Sequence, residues 1–322
     1  MERRGQLLRL KTVGSYVLQV AITLIGISFI MFALVMLGTQ DIAKQLITGA
    51  EDIIVTQEQI DAVTKELGLD QPFIVQYGRW LLNAIQGDFG MSYMAKAPVV
   101  TRIMESLPNT IILGITATVM MLLVSIPLGL ISAFYANKPI DYFIRGLTFI
   151  GISIPGFWVG LMLLWFLGLK LGLFPIISST VGPKTIVLPA MTLAINMASK
   201  YTRQIRSAVL EELGQDYVMG ARARGFSNFH ILVREVLPNA ILPLITLLGL
   251  SLGSLLGGAA VVESVFGWPG LGRLAINAIE YRDFLLLQGV IVWIASMYMV
   301  INIAIDLSYP IFDPRLRKKQ GV

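Results

Sequence analysis

Asp216-Tyr-Val-Met-Gly-Ala-Arg-Ala-Arg-Gly225, with Ser227 to Pro238 behind it, separates two apolar stretches of a chain that is otherwise poor in charge. Of its 322 residues 55% are hydrophobic and 14% charged, which excludes a water-soluble globule and makes this an integral membrane protein. The quoted stretch is therefore a hydrophilic break between membrane helices. Its letters spell two short helices: Asp216 caps the first and Gly225 ends it, Ser227 caps the second, and Pro238 closes that one before the next span. The first helix would expose Tyr217, Val218, Met219 and Ala221 beside Arg222 and Arg224, apolar anchors among cations that suit a partner's groove. The competing reading is a basic inner loop that only sets topology.

Working outward, stretches free of Asp, Glu, Lys and Arg run Thr12–Gln40, Ser106–Asn137, Gly146–Leu169, Val236–Val262 and Phe284–Ile305, each 22 residues or longer. Each is long enough to cross a hydrocarbon core of roughly 30 Å as a helix. A sixth, Thr185–Ser199, has only 15 residues and contains Pro189. It reaches spanning length if it continues through Lys200, Arg203 and Arg206 with those heads extended to the headgroups. Six transmembrane helices with both termini cytoplasmic put 16 of 25 Lys and Arg inside, in keeping with the positive-inside bias. The first span follows Met1-Glu-Arg-Arg4 and is too long for a cleaved signal, so it is expected to stay as an anchor. The chain has no cysteine, so disulfides, thiol catalysis and cysteine metal sites are excluded.

The expected organisation is an N-terminus and first span over residues 1–37, an extracytoplasmic helical insert over 38–108, and a five-helix core over 109–322 that includes the loop 207–238 and a basic tail. In the insert, Thr56-Gln-Glu-Gln59 has capping-box form, the helix after it ends at Gly68, and Pro72 to Gln86 makes a second helix before Gly87-Asp-Phe-Gly90. Helix breakers fall inside the core: Pro127 and Gly129 in span two, and Ser153-Ile-Pro155-Gly156 in span three. In span five Gly249, Gly253 and Gly257 stand four apart. Such a bare stripe allows a close helix contact, and it can equally border a passage. Pro155, Gly156 and these three glycines are the candidates for a pathway or its packing. Glu263, Phe266, Trp268 and Pro269, in a turn read as non-helical, are candidates for an outer gate at the mouth or the interface.

Missing chemistry narrows the function. The five long spans carry no ionisable group, which weighs against a proton- or ion-coupled carrier acting alone. The one histidine, His230, lies in the loop, so no metal or nucleophilic site forms within a span and no catalytic residue is expected. Gly182-Pro-Lys-Thr185 lacks a glycine needed for a phosphate loop, so if the protein works against a gradient its nucleotide chemistry must come from another chain.

The loop with its flanks resembles the cytoplasmic motif of permease subunits in binding-protein-dependent ABC importers, whose pattern is Glu-Ala-Ala, three residues, Gly, nine residues, Ile-x-Leu-Pro. Gly225 takes the glycine position and Leu237-Pro238 the final pair, while Met219-Gly220-Ala221 stands for Glu-Ala-Ala and Glu235 for Ile. Tyr-Val-x-x-Ala-Arg-Ala-x-Gly is similar to the oligopeptide, dipeptide and nickel permease branch. So are Leu67-Gly-Leu-Asp-Gln-Pro72, Asp88-Phe-Gly-x-Ser92, Val265-Phe-x-Trp-Pro-Gly-Leu-Gly272 and Asp313-Pro-Arg-Leu-Arg317.

This resemblance implies a type I ABC importer transmembrane subunit, one peripheral helix plus a five-helix core, in a prokaryotic inner membrane. Its implied partners are a second homologous permease, two ATPase subunits and an extracytoplasmic binding protein, with lipid around them and no nucleic acid. The chain itself would bind no cofactor, ATP and Mg belonging to the ATPases. Asp216, Tyr217, Val218, Met219, Gly220, Ala221, Arg222, Ala223, Arg224 and Gly225 would form the coupling helix that ATP-driven closure pushes. Cargo stays open between nickel or metal chelates and di- or oligopeptides, the spacing Gln71 to Tyr77 with Trp80 leaning toward nickel-type members. The alternative is a stand-alone ion-coupled transporter or channel.

Overall fold

Apolar stretches in lipid have no water to satisfy their amides, so the backbone must close its own hydrogen bonds, and the chain does so almost wholly as helix. The computed structural model describes residues 2–38, 56–66, 70–178 and 180–312. In chain order these form α1 (Glu2–Gly38), α2 (Gln57–Glu66), α3 (Phe73–Ile85), a hairpin of β1 (Met91–Ser92) and β2 (Ala97–Pro98), α4 (Val99–Phe134), α5 (Pro139–Ser153) and α6 (Gly156–Leu163). Then follow α7 (Val187–Leu213), α8 (Asp216–Ala223), α9 (Asn228–His230), α10 (Leu237–Phe266), α11 (Leu271–Glu280) and α12 (Phe284–Phe312). Wide π-turns occupy Leu164–Lys170 after α6 and Ile231–Val236 between α9 and α10.

Among the described residues three helices are long and apolar enough to span by themselves: Leu18–Leu37, Val99–Phe134 and Phe284–Asp306. Two more spans follow if each bent pair counts as one, Pro139–Ser153 with Gly156–Lys170 at 100° and Leu247–Gly253 with Gly257–Phe266 at 49°. The expected fourth span is one unbroken helix of 27 residues, about 40 Å long, but its charges keep it below that apolarity.

The chain divides into two compact units. One comprises Met1–Arg9, Thr110–Pro269 and Val300–Val322. Its core has two clusters, one around Met121, Tyr201, Ile205, Val209, Val218 and Val236, the other around Leu113, Leu188, Leu255, Phe266 and Trp268. Lipid gives helices no hydrophobic reason to associate, so close packing and buried polar contacts hold this unit together. Gly129 lets α4 touch α7, because a Cβ there would stand 2.6 Å from Ile205 Cγ2. The expected interruption at Pro127 and Gly129 is absent: α4 runs through both, and Gly129 acts as a contact. One buried polar contact was not legible as a pair. Asp141, fully buried at the start of α5, accepts from Ser132 Oγ at 2.6 Å, the Asn137 N–H at 2.9 Å, and Arg206 Nε and Nη2 at 2.7 Å each. Arg206 therefore turns inward to a carboxylate instead of reaching the headgroups.

The other unit comprises Leu10–Asn109 and Gly270–Met299. Here Phe89, Val99, Ile103, Leu271, Leu274, Leu286 and Val290 form the core. Asp283, also fully buried, accepts from Ser92 Oγ at 2.6 Å and from the N–H groups of Met94 and Leu286, tying the hairpin to the start of α12. Gly68, where the first insert helix was expected to end, lies outside the described residues. Thr56 donates its N–H to Gln59 Oε1 at 3.1 Å, as the capping pattern requires.

Candidate functional site

The loop after α7 follows the expectation at Gly225 and Ser227 and departs from it at Asp216, at Pro238 and on the buried face of α8. The N-cap position falls on Gln215, and Asp216 is instead the first helical residue, where its charge meets the positive end of the helix. At the other end Gly225 has φ +83°, the Gly225 N–H donates to Arg222 O at 2.9 Å and the Phe226 N–H to Ala221 O at 3.3 Å. That pair of bonds is a Schellman cap. Ser227 Oγ accepts from the His230 N–H at 3.3 Å and starts α9. Pro238 does not close the second helix: the π-turn before it lets the Leu237 N–H reach Leu232 O, and helix runs on into α10. A proline has no N–H and crowds the carbonyl four residues back, and a wider turn accommodates both defects.

Val218 and Ala221, expected on the outer face, are fully buried in the core with Ile205, Val209 and Ile231. They plug α8 into the membrane unit because a helix of eight residues has too little surface to stay folded alone. What remains outside is Tyr217, Met219 at 62% exposure, Gly220, Arg222, Ala223, Arg224 and Gly225. Beside them the Arg224 guanidinium lies 5.2 Å over the Phe226 ring, Phe226 stacks on His230, and Phe229 stands 70% exposed. Tyr217 donates its hydroxyl to Glu212 Oε2 at 2.7 Å. Partial burial and then that bond push its phenol up to about 12, so it remains a neutral donor near neutral pH.

The break in span three is real and is satisfied by a side chain. Pro155 cannot donate to Gly151 O, and Asn196 Nδ2 on α7 bonds Gly151 O at 3.4 Å and Ile154 O at 3.3 Å. Next to this clasp is a cavity of about 290 Å³ lined by Gly156, Phe157, Thr192, Asn196, Gly258 and Val261 among others. The candidate glycines divide. A Cβ on Gly249 would stand 2.6 Å from Ile305 Cδ1, so Gly249 serves packing, whereas Gly156 and Gly257 have nothing within 4 Å of that point. Gly253 is half-buried on the same helix, and Pro155 is exposed. Gly258, next to Gly257, also has open space at its Cβ and lines the cavity. Accordingly Gly129→Ala should lower thermal stability of the purified protein by about 1–3 kcal/mol through overpacking. Gly258→Ala should leave it unchanged and instead fill part of the cavity.

Of the four outer residues Glu263, Phe266 and Trp268 are buried within the unit, and Pro269 is half-buried. Glu263 is buried and accepts from Thr110 Oγ1 at 2.8 Å, and its carbonyl accepts from the Trp268 N–H at 2.8 Å. Gly267, at φ +66°, folds the chain back so that Trp268 drops beside Phe266, both fully buried, with Pro269 next in the turn. The turn read as non-helical is confined to residues 267–270, because Glu263 to Phe266 belong to α10 and α11 begins at Leu271.

A membrane-embedded helical protein with a hydrophilic loop seated in its core by Val218 and Ala221, and no catalytic group singled out by its sequence, is the class that these features define. The family model described as binding-protein-dependent transport system inner membrane component matches residues 125–318, and its N-terminal companion matches residues 9–114. The chain belongs to this family of ABC importer permease subunits. It is 38% identical to the oligopeptide transport system permease protein AppB of Bacillus subtilis (strain 168), over 91% of this chain and 95% of that one. It is 35% identical to the glutathione transport system permease protein GsiC of Escherichia coli (strain K12), over 92% and 95%. Identity to the metal-staphylopine import system permease protein CntB of Staphylococcus aureus (strain Mu50 / ATCC 700699) is 33%, over 91% and 94%. The fold is similar to an inward-facing structure of the MetNI methionine ABC transporter in its CY5 native crystal form. There the TM-score is 0.56 at 18% identity, covering 66% of this chain and 96% of the other.

Proposed function

We propose that this chain is one of two homologous permeases of an ATP-driven importer, a six-span subunit with both termini in the cytoplasm, and that α8 is its coupling helix. Two cytosolic ATPases grip the paired coupling helices, α8 and its counterpart in the second permease, and a binding protein outside delivers the cargo. The observation that carries this reading is the division of the loop: Val218 and Ala221 anchor α8 in the membrane unit, while Met219 and Arg222 on the helix and Arg224 at its cap stay exposed. A push on these exposed residues is passed to α7 and α10 through packed side chains. The cargo class that the relatives share is a peptide or peptide-like molecule or a metal chelate, and charge-free spans suit a passage that leaves recognition to the outside protein.

The chain's lack of cysteine supplies a direct test. Met219→Cys should cross-link to an ATPase subunit in assembled membranes, in a yield that changes with ATP, while Asp88→Cys should give no such product. An intact assembly in which Met219→Cys never cross-links to an ATPase would exclude α8 as the contact.

A further inference from the structure

The insert between the first two spans contains a helix that its sequence assigns to water and its packing assigns elsewhere. α3 lies against α1 through Phe73, Tyr77 and Trp80, whose rings meet Phe29 and Phe32 at centroid distances of 5.2 to 6.1 Å. Tyr77 is buried there; its hydroxyl stands 2.9 Å from Ser28 Oγ and 3.2 Å from Ile25 O. These partners are not at the end of α1. The spanning part of α1 is Leu18–Leu37, so Phe32, Phe29 and Ser28 lie five, eight and nine residues inside its nearer end. At the helical rise that is about 8, 12 and 14 Å below Leu37. At the same level α1 turns Ile30 outward, 59% exposed, and one turn nearer its end Leu34, 57% exposed.

At about 100° per residue α3 divides into three sectors. Phe73, Tyr77, Trp80 and Ala84 make the packing face. Gln76, Arg79, Asn83 and Gln86 form a polar edge. Between them stand Ile74, Val75, Leu82 and Ile85, exposed by 66%, 46%, 62% and 75%. A helix of 13 residues is too short to span, and a segment of that length with one apolar face fits an interfacial or re-entrant position.

We propose that α3 is embedded in the membrane leaflet at the nearer end of α1, with Ile74, Leu82 and Ile85 among phospholipid acyl chains and Arg79 at the phosphate level. The occupant of this apolar sector is lipid because α1 seats α3 at a depth where its own exposed side chains already face lipid. A second copy, the sister permease or the binding protein would each need a contact that the depth of the α1 seat does not call for.

Single-cysteine variants Ile74→Cys, Leu82→Cys and Ile85→Cys read this directly, with Asp88→Cys as the water-exposed control, in membranes open to reagent on both faces. A charged maleimide should label the three roughly tenfold or more slowly than the control, since an apolar setting suppresses the thiolate. Nitroxides attached there should be relaxed by oxygen and not by a water-soluble nickel chelate. Labelling as fast as at Asp88→Cys would overturn the proposal. So would protection that appears only when the binding protein is added, and so would slow labelling without oxygen access, which would place a protein over the helix. Three positions are used so that a variant that fails to assemble leaves two.

Discussion

Asp141→Ala is expected to destabilise the purified subunit by about 3–5 kcal/mol, the cost typical of orphaning one partner of a buried pair. The carboxylate is fully buried and accepts four hydrogen bonds, two of them from a bidentate guanidinium. Without it, Arg206, itself only 17% exposed, keeps its charge and loses its partner. Thermal unfolding in detergent and the amount of protein accumulating in the membrane both report this. Combining Asp141→Ala with Arg206→Leu should recover part of the loss, because the double change removes the stranded charge along with its partner. Arg206→Lys should fall between, since an ammonium retains attraction and loses the two-pronged geometry. If Asp141→Ala unfolds at the wild-type temperature, the pair does not hold α5 to α7.

Gly225→Val is expected to cut ATP-dependent uptake roughly tenfold or more, equivalent to about 1.4 kcal/mol on the rate-limiting step. The φ of +83° at this position is closed to a β-branched residue, so the turn must re-form at a cost of about 1–3 kcal/mol. Nothing lies within 4 Å of where a Cβ would stand, so the core is not overpacked and the subunit should still accumulate. What is lost is the cap: the bonds to Arg222 O and Ala221 O fix where α8 ends and where Phe226 meets His230. Gly225→Asn, which enters the left-handed region more easily, should keep more uptake. Normal uptake by Gly225→Val with the ATPases still attached would remove Gly225 from the coupling role.

Features set by the chain's own periodicity and turn chemistry were readable in advance. The runs without charge marked the helices, Gly225 and Ser227 marked the edges of the loop, and Pro155 marked the bend of 100°. What escaped was anything decided by a neighbour. Val218 and Ala221 look like anchors for a partner until α7 and α10 are placed behind them. Phe266 and Trp268 look like interfacial aromatics until the left-handed Gly267 turns them inward. Asp141 and Arg206 are 65 positions apart, and their pairing had one faint signal, an arginine that the fourth span had to carry. Asn196 became visible only with the carbonyl that Pro155 leaves unbonded. Pro238 misled for the opposite reason, since a breaker ends a helix only where the chain has no looser coil to adopt.

Helical winding continues from Asn228 to Phe266, 39 residues or about 58 Å, so the loop and the bend at 49° belong to one lever. A lever with a loose coil near its handle and an elbow farther along does not translate as a piece. If α8 is pushed as proposed, the motion passes through the π-turn and the bend before it reaches the far arm, which carries Gly258 and part of the cavity wall.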